Sequence, residues 1–493
     1  MESSLILSID QGTSSTKTII FNTKGEVIAK ATVLLETQYL EGGIVEQDPE
    51  GIYQNVLLSV KNCLATFTAS GGEIEAIKTA GISNQRETFI VWDENGKALA
   101  PAVVWQCKRS IAICNELNSK VDVVEDVKRK TGLIIDPYFS GTKLIWLYRH
   151  NVDIKNKIES GKAYFGTVDT WLLFKLTGGE RYLTDYTNAS RTLLFNLENL
   201  QWDKEIIATM GLSGVHLPEP KPSAYSFGES TFEGLFTTPL TITSMIGDSH
   251  AAAFGEGCLH PGTAKATLGT GCSVLMNIGA APQLSDSGMI TTICWSTEER
   301  VDYALEGVIV SCGSTIEWLK NEMQLFDSSH QTEAMATSVT DNNGVYIVPA
   351  FSGLGAPYWD MNKKASIEGL TFDCTKNHIV RAALETIPFQ IKAVLDAMQN
   401  DTKVTIDELM VNGGITANNF VMEFLADLLH SDVIKSTMPD VSALGAAYLA
   451  ALGNGIFNNL EEVKQLFSHK EALYSGNYLK AGQYYDSWNT LLS

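Results

Sequence analysis

The sequence lacks the two glycine-rich fingerprints that are commonest among nucleotide-binding enzymes. It contains neither a GxxxxGK[ST] phosphate loop nor a GxGxxG dinucleotide-binding turn. A P-loop nucleotidase and a dinucleotide-dependent dehydrogenase are therefore both disfavoured.

Positive charge is also scarce. The 493 residues include 36 Lys and Arg against 57 Asp and Glu, a formal net charge of −21 at pH 7. Nucleic acids and anionic membranes are bound through basic surfaces, so neither is expected as a main partner. An anionic ligand such as ATP would have to be held by Mg²⁺, backbone N–H groups and a few well-placed cations.

Paired cysteines and long apolar runs are missing as well. The eight cysteines are scattered, with no CxxC pair and no Cys/His cluster at zinc-ligand spacing, which indicates reduced thiols in a cytoplasmic protein. The first residues have no basic stretch, and Asp10 interrupts the first apolar run too early for a signal peptide. No apolar run is long enough to span a bilayer.

The chain does contain a strand pattern that recurs in its two halves. Residues 5–9, 17–21 and 26–30 predict three strands joined by turns, and residues 264–278 predict a second hairpin in mid-chain. Alternation of strands and helices in both halves indicates the α/β class. We expect an N-terminal domain at 1–251 and a C-terminal domain at 252–493, with a ligand cleft between them.

The sequence predicts two long helices, the first of them at residues 49–68. In residues 377–398, apolar side chains recur near the helical period. Proline removes a backbone donor and clashes with the preceding turn, so Pro388 is expected to kink this helix or divide it in two.

Each half opens on a turn suited to phosphate binding. In the first turn Gly12 permits close backbone approach, the next residues supply hydroxyl and N–H donors, Asp10 could hold Mg²⁺ through water, and Lys17 could add positive charge. The second turn is Gly269-Thr-Gly271. Either turn alone is equally typical of an ordinary hairpin. Two of them, one in each half, favour a phosphate clamp across a cleft.

Two long signatures carry a resemblance to a known family. They are Tyr138-Phe-Ser-Gly-Thr-Lys-Leu-Ile-Trp-Leu-Tyr-Arg-His150 and Ala365-Ser-Ile-Glu-Gly-Leu, seven residues, then His378-Ile-Val-Arg-Ala-Ala-Leu-Glu385. Shorter blocks lie at residues 83–87, 104–109, 166–171, 184–191, 349–359 and 413–419. From residue 5 to about residue 467 the chain resembles the FGGY carbohydrate kinases, and most closely the glycerol kinases among them.

This resemblance implies two actin-like (ribonuclease-H-like) domains flanking a deep catalytic cleft. It implies ATP-dependent phosphorylation of glycerol to glycerol 3-phosphate with Mg²⁺, in a homodimer or homotetramer. Asp248 corresponds to the general base, and Asp10 and Asp248 to the metal site. The implied polyol site comprises Arg86, Glu87, Trp105, Tyr138, Asp248, Ser249 and Ser273. The implied ATP site comprises Gly12, Thr13, Ser14, Lys17, Thr270, Gly271, Gly313, Gly414 and Asn418.

Two pocket positions depart from the glycerol kinase pattern. Ser249 stands where those enzymes usually carry Gln, and Ser273 where they usually carry Phe. A wider and more polar pocket follows, so a kinase for a longer polyol or ketose (a tetritol, pentitol or ketopentose) is the alternative. Residues 231–238 also lack the Arg and the His of two known regulatory sites, so inhibition by fructose bisphosphate and phosphorylation of a histidine are not expected.

Other interpretations of the same residues remain. A non-catalytic actin-like sugar sensor would share the fold, although Asp10, Asp248 and both turns weigh against it. Arg86 and Glu87 could form a surface ion pair, and Trp105 could be a core aromatic. His250 could act as a base, although a structural role is favoured. Cys107 and Cys272 are expected to be unreactive.

Overall fold

A computed structural model describes residues 4–360, 362–436, 438, 440–467, 472–473 and 478–492. Within these residues the strands β1 to β24 are, in chain order, Leu5–Gln11, Ser15–Asn22, Val27–Leu34, Gln38–Leu40, Ile44–Gln47, Ile77–Asn84, Phe89–Asp93, Ala102–Val103, Ala163–Thr167, Leu183–Asp185, Phe195–Asn196, Gln201–Trp202, Glu219–Lys221, Ala224–Ser230, Leu240–Gly247, Thr263–Leu268, Cys272–Gly279, Ile290–Ser296, Val301–Ile309, Tyr346–Val348, Ser366–Glu368, Glu408–Asn412, Asp432–Lys435 and Ala472–Leu473.

The helices α1 to α16 of the same residues are, in chain order, Pro49–Ala69, Ile111–Asn118, Val121–Thr131, Ser140–His150, Val152–Glu159, Val168–Leu176, Tyr186–Ala189, Lys204–Thr209, Asp248–Gly255, Gly313–Asn321, Thr332–Thr337, Lys376–Thr402, Asn419–Leu429, Val441–Asn454, Leu460–Gln465 and Ala481–Asn489. Short 3₁₀ helices occupy Glu41–Gly43, Ile74–Ala76, Ser329–Gln331 and Gly414–Ala417.

The first large sheet has the strand order β14-β15-β6-β1-β2-β3. Strands β1, β2 and β3 form the predicted antiparallel meander, and β6 and β15 add to it in parallel. Every residue of β1 except Asp10 is buried, because helices cover both faces of the sheet. The catalytic candidates therefore follow strands whose positions are fixed by a packed core.

The second large sheet repeats this arrangement. Its order is β18-β19-β17-β16-β22-β23-β24, with β16, β17 and β19 antiparallel and β22 and β23 added in parallel to β16. Each sheet thus has an antiparallel meander on one side and parallel strands on the other. The predicted α/β class with two actin-like domains is confirmed.

A smaller sheet, β4-β5-β8-β7-β9, belongs to the first half and supports the loops that carry several polyol-site candidates. The helix predicted at 49–68 is present as α1. The helix predicted at 377–398 is present as α12. Of the two effects expected of Pro388, division of the helix is wrong, and a kink stays a prediction. One continuous helix runs through Pro388, whose ring is buried in the core of the second half.

Helix α14 belongs to the second half of the chain but packs against the first sheet. Hydroxyl groups of that sheet donate to its backbone: Ser8 Oγ to Ala443 O at 2.6 Å and Ser244 Oγ to Ala446 O at 2.8 Å. The helix lies so close that a Cβ on Gly81 would come within 2.4 Å of Ala446 O. Glycine at this position is therefore required by the contact between the two halves.

The predicted boundary near Ala252 falls within α9, which follows the last parallel strand of the first sheet. The second sheet begins at β16, and the division into 1–251 and 252–493 stays a prediction. In the part of the chain that the structure describes, no helix is both long and apolar enough to cross a membrane.

Candidate active site

Asp248 occupies the point where the first sheet faces the second half of the chain. Strand β15 ends at Gly247, and Asp248 is the first residue of α9. Its Oδ1 accepts a hydrogen bond from the N–H of Ser249 at 2.6 Å and lies 3.5 Å from Arg86 Nε. The side chain is 39% exposed, whereas that of Arg86 is only 7% exposed. The Asp248 carboxylate is therefore partly accessible, although the arginine beside it is buried.

Electrostatics around Asp248 make it a better base than an ordinary aspartate. Desolvation by the surrounding protein raises its pKa, and Arg86, the Ser249 N–H group and Lys265 oppose that rise. A raised carboxyl pKa brings the proton affinity closer to that of a reacting hydroxyl, which suits general base catalysis.

Arg86 does not pair with its neighbour Glu87. Its two terminal nitrogens bind the carboxylate of Glu306 at 3.0 and 3.2 Å, while Glu87 Oε1 accepts a hydrogen bond from Arg191 Nε at 2.5 Å. Arg191 also lies 2.7 Å from Glu306, so two arginines and two glutamates form one buried network. The alternative of a surface ion pair between Arg86 and Glu87 is wrong.

An aromatic pair borders this network. The rings of Trp105 and Tyr138 meet edge to face with centroids 5.6 Å apart, and both side chains are half-buried. Lys143 holds the loops that carry them, because its ammonium donates to the carbonyl groups of Trp105 at 3.3 Å and Tyr138 at 3.0 Å. Burial lowers the pKa of Lys143 to about 7. The indole N–H of Trp105 donates to Thr13 Oγ1 at 2.9 Å, which holds the ring against the turn of the first hairpin.

The two serines that depart from the family pattern both lie on this network. Ser249 Oγ accepts a hydrogen bond from Lys265 Nζ at 2.8 Å. Ser273 Oγ donates to Glu306 Oε1 at 3.2 Å. Both serines are half-buried, unlike Lys265 and Glu306, which are almost fully enclosed. Both hydroxyl groups therefore bind buried charged side chains.

A separate cavity of about 530 Å³ lies in the second half of the chain. Four of the predicted ATP residues line it: Thr270, Gly313, Gly414 and Asn418. The turn that follows β16 is joined to the start of α10, since Gly313 N donates to Gly269 O at 3.0 Å and Ser314 N to Thr270 O at 3.1 Å. These bonds use the first N–H groups of α10, which leaves the backbone of the turn at Thr270 and Gly271 as the candidate donor to phosphate groups.

Gly271 packs closely against the backbone of β19, since a Cβ on it would lie 2.7 Å from Ile309 O. This turn at the cavity therefore requires glycine. Asn418 caps α13 by accepting a hydrogen bond from Val421 N, and its amide donates to Thr332 Oγ1 at 3.1 Å. Its side chain is thus already fixed at the wall of the cavity.

The predicted ATP residues of the first hairpin lie apart from that cavity. Gly12 N bonds to Ser15 O at 3.0 Å and closes the turn, with Thr13 and Ser14 at its tip. Lys17 Nζ binds Asp440 Oδ1 at 2.7 Å, and Lys30 binds the other oxygen of Asp440. Lys17 is therefore tied to the N-terminus of α14 in the second half.

Asp10 lies at the end of β1 next to Asp248. Its carboxylate accepts a hydrogen bond from Ser83 Oγ at 2.9 Å, and burial together with the Asp248 charge raises its pKa to about 6. Crowding of two carboxylates is relieved by a divalent cation, and Mg²⁺ needs only one or two carboxylates when phosphate and water complete its shell. No cluster of three or more His, Cys, Asp or Glu suited to a metal occurs among the described residues.

The alternative residues have simpler structural roles. His250 is completely buried in α9, and burial lowers its pKa well below the usual range, so it stays neutral. Cys107 and Cys272 are buried, and burial raises the pKa of the Cys272 thiol to about 12. All eight cysteines are free thiols.

Glu306, Lys265, Lys143 and Arg191 take part in the site but were not among the predicted site residues. Arg191 and Lys143 lie inside the matched blocks, where no role was assigned to them. Lys265 is the single charge of the apolar strand β16, and Glu306 is one of two acidic residues, with Asp302, in the mostly apolar strand β19. A buried charge of this kind needs a partner, so this pattern was the available signal.

Two family models cover nearly the whole chain. The N-terminal domain of the FGGY family of carbohydrate kinases matches residues 5–255, and the C-terminal domain of that family matches residues 264–453. The chain belongs to the FGGY family of carbohydrate kinases.

Among its relatives in this family, the glycerol kinase of Thermoanaerobacter pseudethanolicus is 44% identical over 93% of this FGGY chain and 92% of its own length. Glycerol kinase 2 of Thermotoga maritima is 43% identical over 94% of this chain and 92% of its own. The crystal structure of Plasmodium falciparum glycerol kinase with ADP superposes with a TM-score of 0.94, at 35% identity, over 99% of this chain and 98% of that one.

Proposed function

We propose that this FGGY kinase transfers the γ-phosphoryl group of ATP to a hydroxyl of glycerol and forms glycerol 3-phosphate. The observation that carries the proposal is the position of Asp248, an accessible carboxylate within a buried charge network at the junction of the two halves. Similarity to glycerol kinases over more than nine-tenths of the chain selects glycerol among polyols.

In the proposed reaction Asp248 is the general base. It accepts the proton of the substrate hydroxyl while that oxygen attacks the γ-phosphorus of ATP and the bond to the β-phosphate oxygen breaks. Arg86, 3.5 Å away, keeps the carboxylate oriented and donates to a substrate hydroxyl. Trp105 and Tyr138 contact the carbon chain of the polyol. Closure of the cleft around these groups excludes water as a competing acceptor.

The nucleotide occupies the 530 Å³ cavity of the second half, with its phosphates at the turn of Thr270 and Gly271. Gly12, Thr13, Ser14 and Lys17 approach the phosphates from the first half. Asp10 and Asp248 fit a Mg²⁺ ion, which would neutralise the charge that develops on the phosphoryl oxygens.

A coupled ADP-release assay with Mg·ATP tests this proposal against glycerol, erythritol, threitol, pentitols and ketopentoses. Glycerol should give the highest kcat/KM, and omission of Mg²⁺ should abolish turnover. Release of ADP that no polyol stimulates would overturn the proposal and favour a non-catalytic or purely ATP-hydrolysing relative.

A longer polyol or ketose is the second candidate substrate, and the two half-buried serines favour it. Ser249 and Ser273 are half-buried and smaller than the Gln and Phe that glycerol kinases usually carry, so a wider pocket is expected at these two positions. If a four- or five-carbon substrate has the highest kcat/KM, the substitution Ser273→Phe should shift the preference towards glycerol. An unchanged preference in that variant would exclude Ser273 as the cause.

The remaining properties stay predictions of the family resemblance. We expect a cytoplasmic homodimer or homotetramer, which light scattering would distinguish, with no nucleic acid or membrane as a main partner. We also expect no inhibition by fructose bisphosphate, which the same coupled assay measures.

A further inference from the structure

Glu306 is the most enclosed carboxylate of the charge network and comes from the second sheet. It lies on β19, is completely buried, and contacts three side chains. Its Oε1 accepts hydrogen bonds from Arg86 Nη2 at 3.0 Å and Ser273 Oγ at 3.2 Å. Its Oε2 accepts from Arg86 Nη1 at 3.2 Å and lies 2.7 Å from Arg191 Nη1.

This arrangement fixes the direction of the Arg86 guanidinium. A bidentate pair uses both terminal nitrogens and holds the plane of the group, which leaves the Nε edge free to face another acceptor. In the structure that edge faces Asp248 at 3.5 Å. Glu306 therefore acts on the base through Arg86 and need not touch the substrate itself.

Burial opposes ionisation of Glu306, but Arg191 and Arg86 outweigh it and hold its pKa well below the usual range. The lowered pKa favours the charged form of Glu306 beside the two arginines. A neutral partner in its place would leave the charge of Arg86 poorly compensated in a dry environment.

The contact also joins the two halves of the chain. Arg86, Arg191 and Asp248 follow elements of the first half, whereas Glu306 and Ser273 lie in the second sheet. Lys265, also in the second sheet, makes a second contact between the halves: its Nζ donates to Ser249 Oγ of the first half at 2.8 Å. Arg86 and Ser249, which both lie beside Asp248, are therefore each bound by a residue of the second half.

We propose that Glu306 is a positioning residue of the polyol site, which orients Arg86 from the opposite half of the chain and makes a competent polyol site depend on contact between the halves. This inference rests on the proposed polyol kinase function. It assigns to Glu306 an effect on polyol recognition rather than on nucleotide binding, because the network lies outside the cavity lined by Thr270 and Asn418.

The test compares Glu306→Gln with Asp302→Asn. Asp302 is also buried on β19 and pairs with Arg300 at 2.6 Å, so its variant breaks a carboxylate–arginine pair of the same strand away from Arg86. Glu306→Gln should raise the KM for the polyol by about 10- to 100-fold, the range for loss of hydrogen bonds to a charged group. The KM for ATP and the Kd for ADP should stay unchanged, and Asp302→Asn should alter none of these constants.

Glu306→Asp provides the second variant, since it keeps the charge that the two arginines require but is too short for the same bidentate geometry. Its KM for the polyol should lie between those of the wild type and Glu306→Gln, in a protein whose melting temperature is near that of the wild type. Equal KM values for the polyol in all three proteins would overturn the inference while leaving the kinase function intact. A wild-type enzyme that phosphorylates no polyol would overturn both.

Discussion

The polyol side and the nucleotide side of the site are formed by different kinds of chemical group. Buried charges dominate the polyol side, where Arg86, Arg191, Glu87 and Glu306 form ion pairs with one another beside Asp248. Backbone turns and glycines dominate the nucleotide side, where the turn after β16 meets the start of α10. A polyol offers many hydroxyl groups and no charge, so fixed charges can distinguish it, whereas phosphates are bound well by backbone N–H groups.

This difference determines which substitutions harm each side. Removal of a charge should damage the polyol side, because the partner charge stays buried without compensation. Addition of a methyl group should damage the nucleotide side, because space next to the backbone is what that side provides. The predictions below test this contrast, in decreasing order of expected effect.

Replacement of the base should have the largest effect. Asp248→Asn keeps the shape of the side chain but removes its ability to accept a proton, so kcat should fall by about 10²- to 10⁴-fold. Binding of ADP, measured by calorimetry, should persist because the nucleotide cavity is lined by other residues. Turnover close to that of the wild type would contradict the role of Asp248, and loss of ADP binding would contradict the separation of the two sides.

Acidification should weaken activity through Asp10, whose pKa is raised to about 6. Below that pH the carboxyl is protonated and can no longer hold Mg²⁺, so kcat/KM for ATP should fall by about 10-fold per pH unit. Asp10→Asn should be weakly active and should lack this transition. A profile of the wild type that is flat between pH 5 and about pH 7 would contradict the prediction.

The effect of Asp10 on the free energy of unfolding should run opposite to its effect on activity: stability should fall as the pH rises. The folded protein holds this proton to about pH 6, whereas the ordinary pKa of 3.8 applies when the chain is unfolded. The contribution of Asp10 is therefore present below pH 3.8 and is lost as the pH rises through about 6. Chemical denaturation of the metal-free protein at pH 7 should show that Asp10→Asn is more stable than the wild type. Equal stability of the two proteins would contradict the raised pKa of Asp10.

Much of the fold could be predicted from the sequence because its signals are local. The meander of β1 to β3 and the hairpin of β16 and β17 follow from apolar runs separated by turn residues. The predicted division at Pro388 was wrong because tertiary packing outweighed the local cost. Pro388 is buried, and its neighbours Ile387 and Phe389 belong to the core of the second half.

The charge network could not be assembled in the same way. Arg86 and Glu306 are 220 positions apart, and adjacency in sequence suggested Glu87 as the partner of Arg86 instead. Only the fold shows that the backbone of Glu87, at φ 60°, turns its side chain towards Arg191. Turns are recognisable from a few consecutive residues, whereas the Arg86–Glu306 pair joins the loop after β6 to strand β19 of the other half.

A methyl group on Gly414 should impair the nucleotide side alone. Gly414 lines the cavity, and no atom lies within 4 Å of the position that a Cβ would occupy. Gly414→Ala should leave the melting temperature unchanged but raise the KM for ATP by about 10-fold, as expected for one misplaced methyl group. Gly482→Ala is the matched control, since its Cβ also meets nothing within 4 Å but lies on α16, away from the cavity. An unchanged KM for ATP in Gly414→Ala would exclude this wall from nucleotide contact.

The smallest effect is expected at the accessible ion pairs of the first hairpin. Lys30 is 37% exposed and shares Asp440 with Lys17, so Asp440 keeps a partner when Lys30 is removed. Lys30→Ala should cost about 1 kcal/mol of unfolding free energy or less, as is usual for exposed pairs, and should leave the KM for the polyol unchanged. Lys17→Met, by contrast, should raise the KM for ATP, because Lys17 lies on β2 just after the phosphate turn of the first half. A loss of unfolding free energy from Lys30→Ala clearly above about 1 kcal/mol would contradict the weak contribution expected of this exposed lysine.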